Sequence, residues 1–150
     1  MKYAHLVKLT VFSHESEDIK SVSDALLGFF PFNLESDKIP IKETAATGFN
    51  GKKIKIFEVI LSKQSLVNEL LKNLESNLTE AQKGIILKQS ESRLDSNLDF
   101  FIRFDKDSWI NEKKLLLTNS GSCFHLRIAI AAFPKKREAA LKIIKDLFEK

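Results

Sequence analysis

Residues 39–61 read IPIKETAATGFNGKKIKIFEVIL, and the folding of this stretch decides how the rest of the chain is arranged. Two strand-like runs, Ile39 to Thr47 and Lys53 to Leu61, flank the segment Gly48-Phe49-Asn50-Gly51-Lys52-Lys53. Asn-Gly supplies the positive φ angles of a tight hairpin turn, so the spacing predicts two antiparallel strands whose tip carries Lys52 and Lys53. The glycines do not make a phosphate-binding loop. The Gly-x-x-x-x-Gly-Lys-Ser/Thr spacing is missing, and Ile54 to Ile60 is strand-like where such a loop would open a helix.

Upstream of the hairpin, His5, Val7, Leu9 and Val11 alternate with Leu6, Lys8, Thr10 and Phe12, the period of a strand over Tyr3 to Ser13. Ile19, Val22, Leu26, Phe29 and Phe30 then recur at helical spacing, which predicts a helix from about 16 to 30, capped by Ser16 and stopped by Pro31. Downstream, Leu66, Val67, Leu70, Leu71, Leu74 and Leu78 form an amphipathic stripe after Ser62, and Thr79 with Gln82 has capping-box spacing for a second helical piece ending near Ser90. Leu98 to Phe104 reads as a strand with Phe100, Ile102 and Phe104 on its core face, and Asp105 to Lys113 as a charged connection around Trp109. A short strand at Leu115 to Thr118 turns through Asn119-Ser120-Gly121-Ser122 into a long strand, Phe124 to Phe133. Pro134 opens a last helix with Ala140, Ile143, Ile144, Leu147 and Phe148 inward. The order predicts one α+β domain over residues 1–150, an antiparallel sheet with helices mainly on one face, close to the ferredoxin-like βαββαβ unit.

The composition fits such a domain. Of 150 residues, 43% are hydrophobic and 29% charged, enough apolar surface for a core without metals or disulfides. The net charge of +4 falls entirely in the second half: residues 1–75 hold 10 basic and 10 acidic side chains, residues 76–150 hold 14 and 10. Cys123 is the one cysteine, so no internal disulfide forms and a reducing, cytoplasmic setting is expected. No run approaches the ~18 apolar residues of a membrane helix, so no membrane partner is expected.

Catalytic signatures are missing. His5, His14 and His125 show no metal-ligand spacing, and His14 with Glu17 and Asp18 reads better as a strand end followed by helix-capping acids. Asp95, Asp99, Asp105 and Asp107 admit a magnesium-dependent nuclease, but Arg93, Arg103 and Lys106 are interleaved with them, which favours solvated loop acids. No metal, cofactor or catalytic residue is expected. The basic residues offer more. Arg103 and Arg127 alternate out of the core beside Phe101, His125 and Phe133, a mixture suited to unpaired bases if the face is open, or to a helix or second subunit if it is covered. Lys135-Lys136-Arg137 open the last helix, where the dipole favours anions, so three cations there point to an external anionic partner.

Three stretches resemble one family. Ser13-His14-Glu15-Ser16-Glu17-Asp18 is similar to its His-Ala-Thr-Glu-Asp signature after the first strand. Arg93-Leu94-Asp95 followed by Arg103-Phe104-Asp105-Lys106 resembles its Arg-Leu-Asp turn and Arg-x-Asp-Lys strand end. Ala132-Phe133-Pro134-Lys135-Lys136-Arg137-Glu138 is similar to its Ala-Tyr-Pro-Ala-Lys-Arg-Glu segment. The family is that of the archaeal RNA-binding proteins described as predicted exosome subunits. The resemblance implies a fold akin to a large-subunit ribosomal protein, RNA as partner, and a noncatalytic role in RNA processing or degradation beside exosome or ribosome components. The expected RNA contacts are Lys52, Lys53, Lys106, Lys135, Lys136 and Arg137 to phosphates, with Arg103 and Arg127 near bases or sugars. The alternatives are an assembly module whose sheet face forms a homodimer and, third, the metal-dependent nuclease.

Overall fold

The computed structural model describes residues 2–119 and 121–149 and, for Phe49, the backbone alone. The elements in chain order are β1 (Ala4–His14), α1 (Ile19–Gly28), β2 (Lys42–Thr47), β3 (Lys53–Leu61), α2 (Gln64–Asn77), α3 (Glu80–Lys88), α4 (Ser90–Arg93), β4 (Asp99–Asp105), α5 (Lys106–Glu112), β5 (Cys123–Ile130) and α6 (Arg137–Phe148). The strands form one antiparallel sheet in the order β2-β3-β1-β5-β4, so the α+β reading with a ferredoxin-like core of strands holds. The antiparallel hairpin holds, with Thr47 facing Lys53 and Lys42 facing Glu58, but its tip is wider than a tight Asn-Gly turn: Gly48 to Lys52 connect the strands through a 3-10 turn at Phe49–Gly51. Asn50 and Gly51 both adopt positive φ, 67° and 72°, which these two residue types tolerate.

The chain divides into two compact units. The first comprises Met1–Val7, Leu61–Ile102 and Leu126–Lys150, the second Lys8–Ile60 and Arg103–His125. In the first, α6 packs on α2, α3 and α4. Its core is Val67, Leu70, Leu71 and Leu74 of α2, Ile86 of α3, and Ile144, Leu147 and Phe148 of α6. Phe148 lies 6.2 Å, ring to ring, from Phe100 of β4. Thr79 closes the predicted capping box with Gln82, each side chain taking the other's backbone N–H. In the second unit, Phe29 at the end of α1 touches Phe104, Trp109 and Phe124 at 5.7, 5.4 and 6.3 Å, and the Trp109 indole donates to the Ala25 carbonyl at 2.9 Å. In the first unit α6 thus packs on Phe100 of β4, and in the second the end of α1 packs on Phe104.

Several boundaries differ from expectation, each for a local reason. Helix α1 starts at Ile19 because Asp18, not Ser16, caps it: its carboxylate accepts from the Lys20 N–H and the Ser21 hydroxyl. Strand β2 starts at Lys42, since Ile39 donates back to the Leu34 carbonyl in a turn and Pro40 has no N–H to pair. The connection around Trp109 is the helix α5, capped by the Asp105 carboxylate on the Ser108 N–H and hydroxyl at 3.0 and 2.6 Å. Leu115 to Thr118 makes one bridge, Leu117 to Phe104, instead of a strand. Strand β5 ends at Ile130 and α6 begins at Arg137, so Phe133 and Pro134 belong to neither. Of the turn expected at Asn119 to Ser122, Ser120 lies outside the described residues.

Candidate nucleic-acid interface

In the second unit, β1 buries Leu9, Val11 and Ser13 and turns Lys8, Thr10, Phe12 and His14 to the other side, with Phe12 49% exposed. Strand β3 alternates likewise, with Phe57 and Val59 inward and Ile54, Ile56, Glu58 and Ile60 outward. A row of charge crosses this outward face. Lys42 faces Glu58 across the hairpin, Lys8 lies 3.3 Å from Glu58, and Lys8 and Arg103 both act on His125. His125 titrates below the ordinary imidazole value, first because it is partly buried and then because of Arg103 and Lys8, so it is neutral at pH 7. Burial pushes the Cys123 thiol up, with Asp105 adding to it against the pull of Arg103 and Lys106, so it is no reactive thiolate. Glu58 neutralises Lys8. Arg103 is exposed, and among the described residues no carboxylate is in ion-pair contact with it.

Beside the end of β1, His14, Glu15, Ser16, Lys52 and Lys53 line an open depression of about 500 Å³. The sequence places its floor. Glu15 accepts the Lys53 backbone N–H at 3.2 Å, tying the hairpin to the turn after β1, while both lysine side chains stay exposed. Two ammonium groups against one carboxylate leave a formal +1, which matches the single negative charge of a phosphodiester. Phe12 and His14 share one face of β1 as aromatic surfaces near this charge, an arrangement that can stack bases and hold phosphate. Phe12 is not among the residues expected at the site from sequence. Its signal was an apolar side chain at an outward position of an alternating strand.

Lys106 is a correction. It was expected to contact phosphate, yet it is 1% exposed, and its ammonium donates to the Phe12 carbonyl and to Glu17 Oε1, both at 2.6 Å. With Asp105 capping α5, the lysine turns inward, and two charge-assisted hydrogen bonds hold it there. Burial raises the Glu17 carboxyl, but the Lys106 hydrogen bond, the His14 backbone N–H and the Lys106 charge outweigh it, and Glu17 titrates below its ordinary 4.5. Most of the acids considered for metal binding are likewise occupied, while Asp107 is exposed in the first turn of α5. Asp18 caps α1, Asp105 caps α5, and Asp95 accepts the Asn97 and Asp99 N–H groups. Among the described residues no group of three His, Cys, Asp or Glu side chains is placed to hold a metal ion.

In the first unit Arg127 Nε lies 3.1 Å from Asp99 Oδ2, so its charge is largely matched. Arg137 is committed as well: its guanidinium donates to the Leu94 carbonyl at 3.0 Å, to the Glu91 carbonyl, and to Glu91 Oε2 at 3.4 Å, fastening the start of α6 to α4. Lys135 and Lys136 are exposed beside a Phe133 that is 96% exposed. Of the eight expected RNA contacts, five thus remain exposed and uncommitted: Lys52, Lys53 and Arg103 in the second unit, Lys135 and Lys136 in the first.

No helix among the described residues is long and apolar enough to cross a membrane. Residues 6–130 match the family model described as RNA binding. The RNA-binding protein PAB1135 of Pyrococcus abyssi is 26% identical over 147 residues, 97% of this chain and 94% of that protein. Among solved structures, protein AF2318 from Archaeglobus fulgidus is 28% identical with a TM-score of 0.85, covering 96% of this chain and 99% of that one. Mth689, a DUF54 protein from Methanothermobacter thermautotrophicus, shares the fold at 23% identity, with a TM-score of 0.79 over 97% and 98% of the two chains. With a match that runs from β1 to the end of β5, the chain belongs to the RNA-binding family.

Proposed function

We propose that this chain is a noncatalytic RNA-binding protein of the cytoplasm, an accessory factor in RNA processing or degradation that works beside exosome or ribosome components. The observation that carries the RNA contact is the +1 depression of His14, Glu15, Ser16, Lys52 and Lys53, with Phe12 on the same face of β1. Family membership supports the same reading. Asp18, Asp95, Asp99 and Asp105, four of the acids a nuclease would draw on, are engaged in caps, a turn and an ion pair, which favours binding over cleavage.

Salt dependence tests it. Of the six phosphate contacts expected from sequence, Lys106 and Arg137 are withdrawn, which leaves Lys52, Lys53, Lys135 and Lys136. At ~0.7 released counterions per phosphate on a single strand, the logarithm of affinity should fall with the logarithm of salt at a slope of about −3. A flat response would overturn the phosphate reading. RNA shortened during incubation with magnesium would overturn the noncatalytic one.

A further inference from the structure

Phe133 is more exposed than any other large apolar side chain among the described residues: 96%, against 49% for Phe12. A ring left in water gives up the stabilisation that burial supplies, and no element of its own unit uses it. The segment around it is nevertheless held at both ends. Upstream, the Ala131 N–H donates to the Tyr3 carbonyl at 2.9 Å and Ala132 is buried; downstream, the Lys136 N–H donates to the Pro134 carbonyl at 2.7 Å. One residue later Arg137 is fastened to Leu94 and Glu91. The ring is therefore displayed from a tethered backbone, and the two side chains just beyond the proline, Lys135 and Lys136, are exposed cations.

We propose that Phe133, Lys135 and Lys136 form a docking point for one unpaired nucleotide: the base stacks on the Phe133 ring and the two ammonium groups hold the flanking phosphates. This rests on the RNA-binding reading above and assigns to the first unit a second, independent contact. Charge selects the occupant. Residues 133–137 contain no carboxylate, the nearby Glu91 is answered by Arg137, and both lysines lack an ion-pair partner among the described residues. An aromatic ring beside unmatched cations suits a polyanion with exposed bases, since every base offers a π-face, and duplex RNA, whose bases are already stacked, gains nothing from the ring.

The test compares a single-stranded oligonucleotide of mixed sequence with a perfect RNA duplex, bound to the full chain and to F133A, F133W and K135A/K136A. Single-strand affinity should fall about 5- to 150-fold in F133A, the equivalent of ~1–3 kcal/mol for one stacked base, with duplex affinity unchanged. F133W should retain affinity and show its added tryptophan fluorescence quenched by the single strand. K135A/K136A should flatten the salt slope by about 1.4. Thermal midpoints should stay within a degree or two, because an exposed side chain supports no packing. If the parent chain binds single strands and F133A binds them equally well, the docking point is overturned while the RNA reading stands. If the parent chain binds neither RNA, both fall. If F133A changes the mass of the protein in solution instead of its RNA affinity, the ring is a contact between copies and the nucleotide proposal is overturned.

Discussion

Lys52-Lys53 at the hairpin tip and Lys106 at the end of β4 look alike in sequence: cations beside turns, at the limits of strands. In the folded chain they differ completely. Lys52 and Lys53 remain exposed, their backbone anchored by Glu15, whereas Lys106 is buried between the Phe12 carbonyl and Glu17. A positive charge thus becomes available to a partner where no acceptor of the chain captures it. The acceptor that captures Lys106 lies 89 positions away in sequence.

The largest effect that would break this contrast is on stability. Lys106→Met should destabilise the fold by about 3 kcal/mol, because it leaves the Glu17 carboxylate without its counter-charge and the Phe12 carbonyl without the ammonium donor; the partial exposure of Glu17 keeps the figure at the low end of what losing one member of a buried pair costs. Urea unfolding measures it, and a loss below ~1 kcal/mol would remove Lys106 from its structural role. The paired change Lys52→Ala with Lys53→Ala should alter stability by less than ~0.5 kcal/mol, as exposed side chains usually do.

The next effect is on pH dependence. Glu17 titrates below its ordinary 4.5 in the folded chain, so its contribution to stability is present in full above that value and is lost as pH falls through the lower, folded value. Denaturant midpoints should therefore fall through the acid side of pH 4.5 more steeply in the parent chain than in Lys106→Met. Parallel profiles would contradict the Glu17–Lys106 coupling. A smaller effect than that of Lys106→Met falls on the hairpin tip: Gly48→Ala would press a methyl against the end of the Ile54 side chain, which can move aside, so about 1 kcal/mol or less is expected from the same unfolding measurement.

The same contrast shows how far the sequence could be read. The hairpin, the α2 stripe and the Thr79–Gln82 capping box were legible because turn chemistry, periodicity and capping act between near neighbours. Exposure of Lys52, Lys53, Lys135 and Lys136 followed from their places at a tip and a helix start. What was not legible depends on distant partners or on competition among local caps. Nothing near Lys106 announces Glu17, nothing near Arg137 announces Glu91 and Leu94, and Asp105 caps a helix in a stretch whose charge pattern reads as a loop. The place of Phe12 was not legible either, because the alternation of β1 marks the face it buries and leaves the role of the outward positions open.

The central claim is that the cations left uncommitted by the fold, and not the net charge of the chain, set its affinity for RNA. Affinity for a single-stranded RNA measured across a salt series, for the parent chain and for the Lys52→Ala, Lys53→Ala pair, tests this most directly. Log–log slopes of about −3 for the parent chain and about −1.5 for the doubly substituted chain are expected. A pair of variants whose slope equals that of the parent would contradict it.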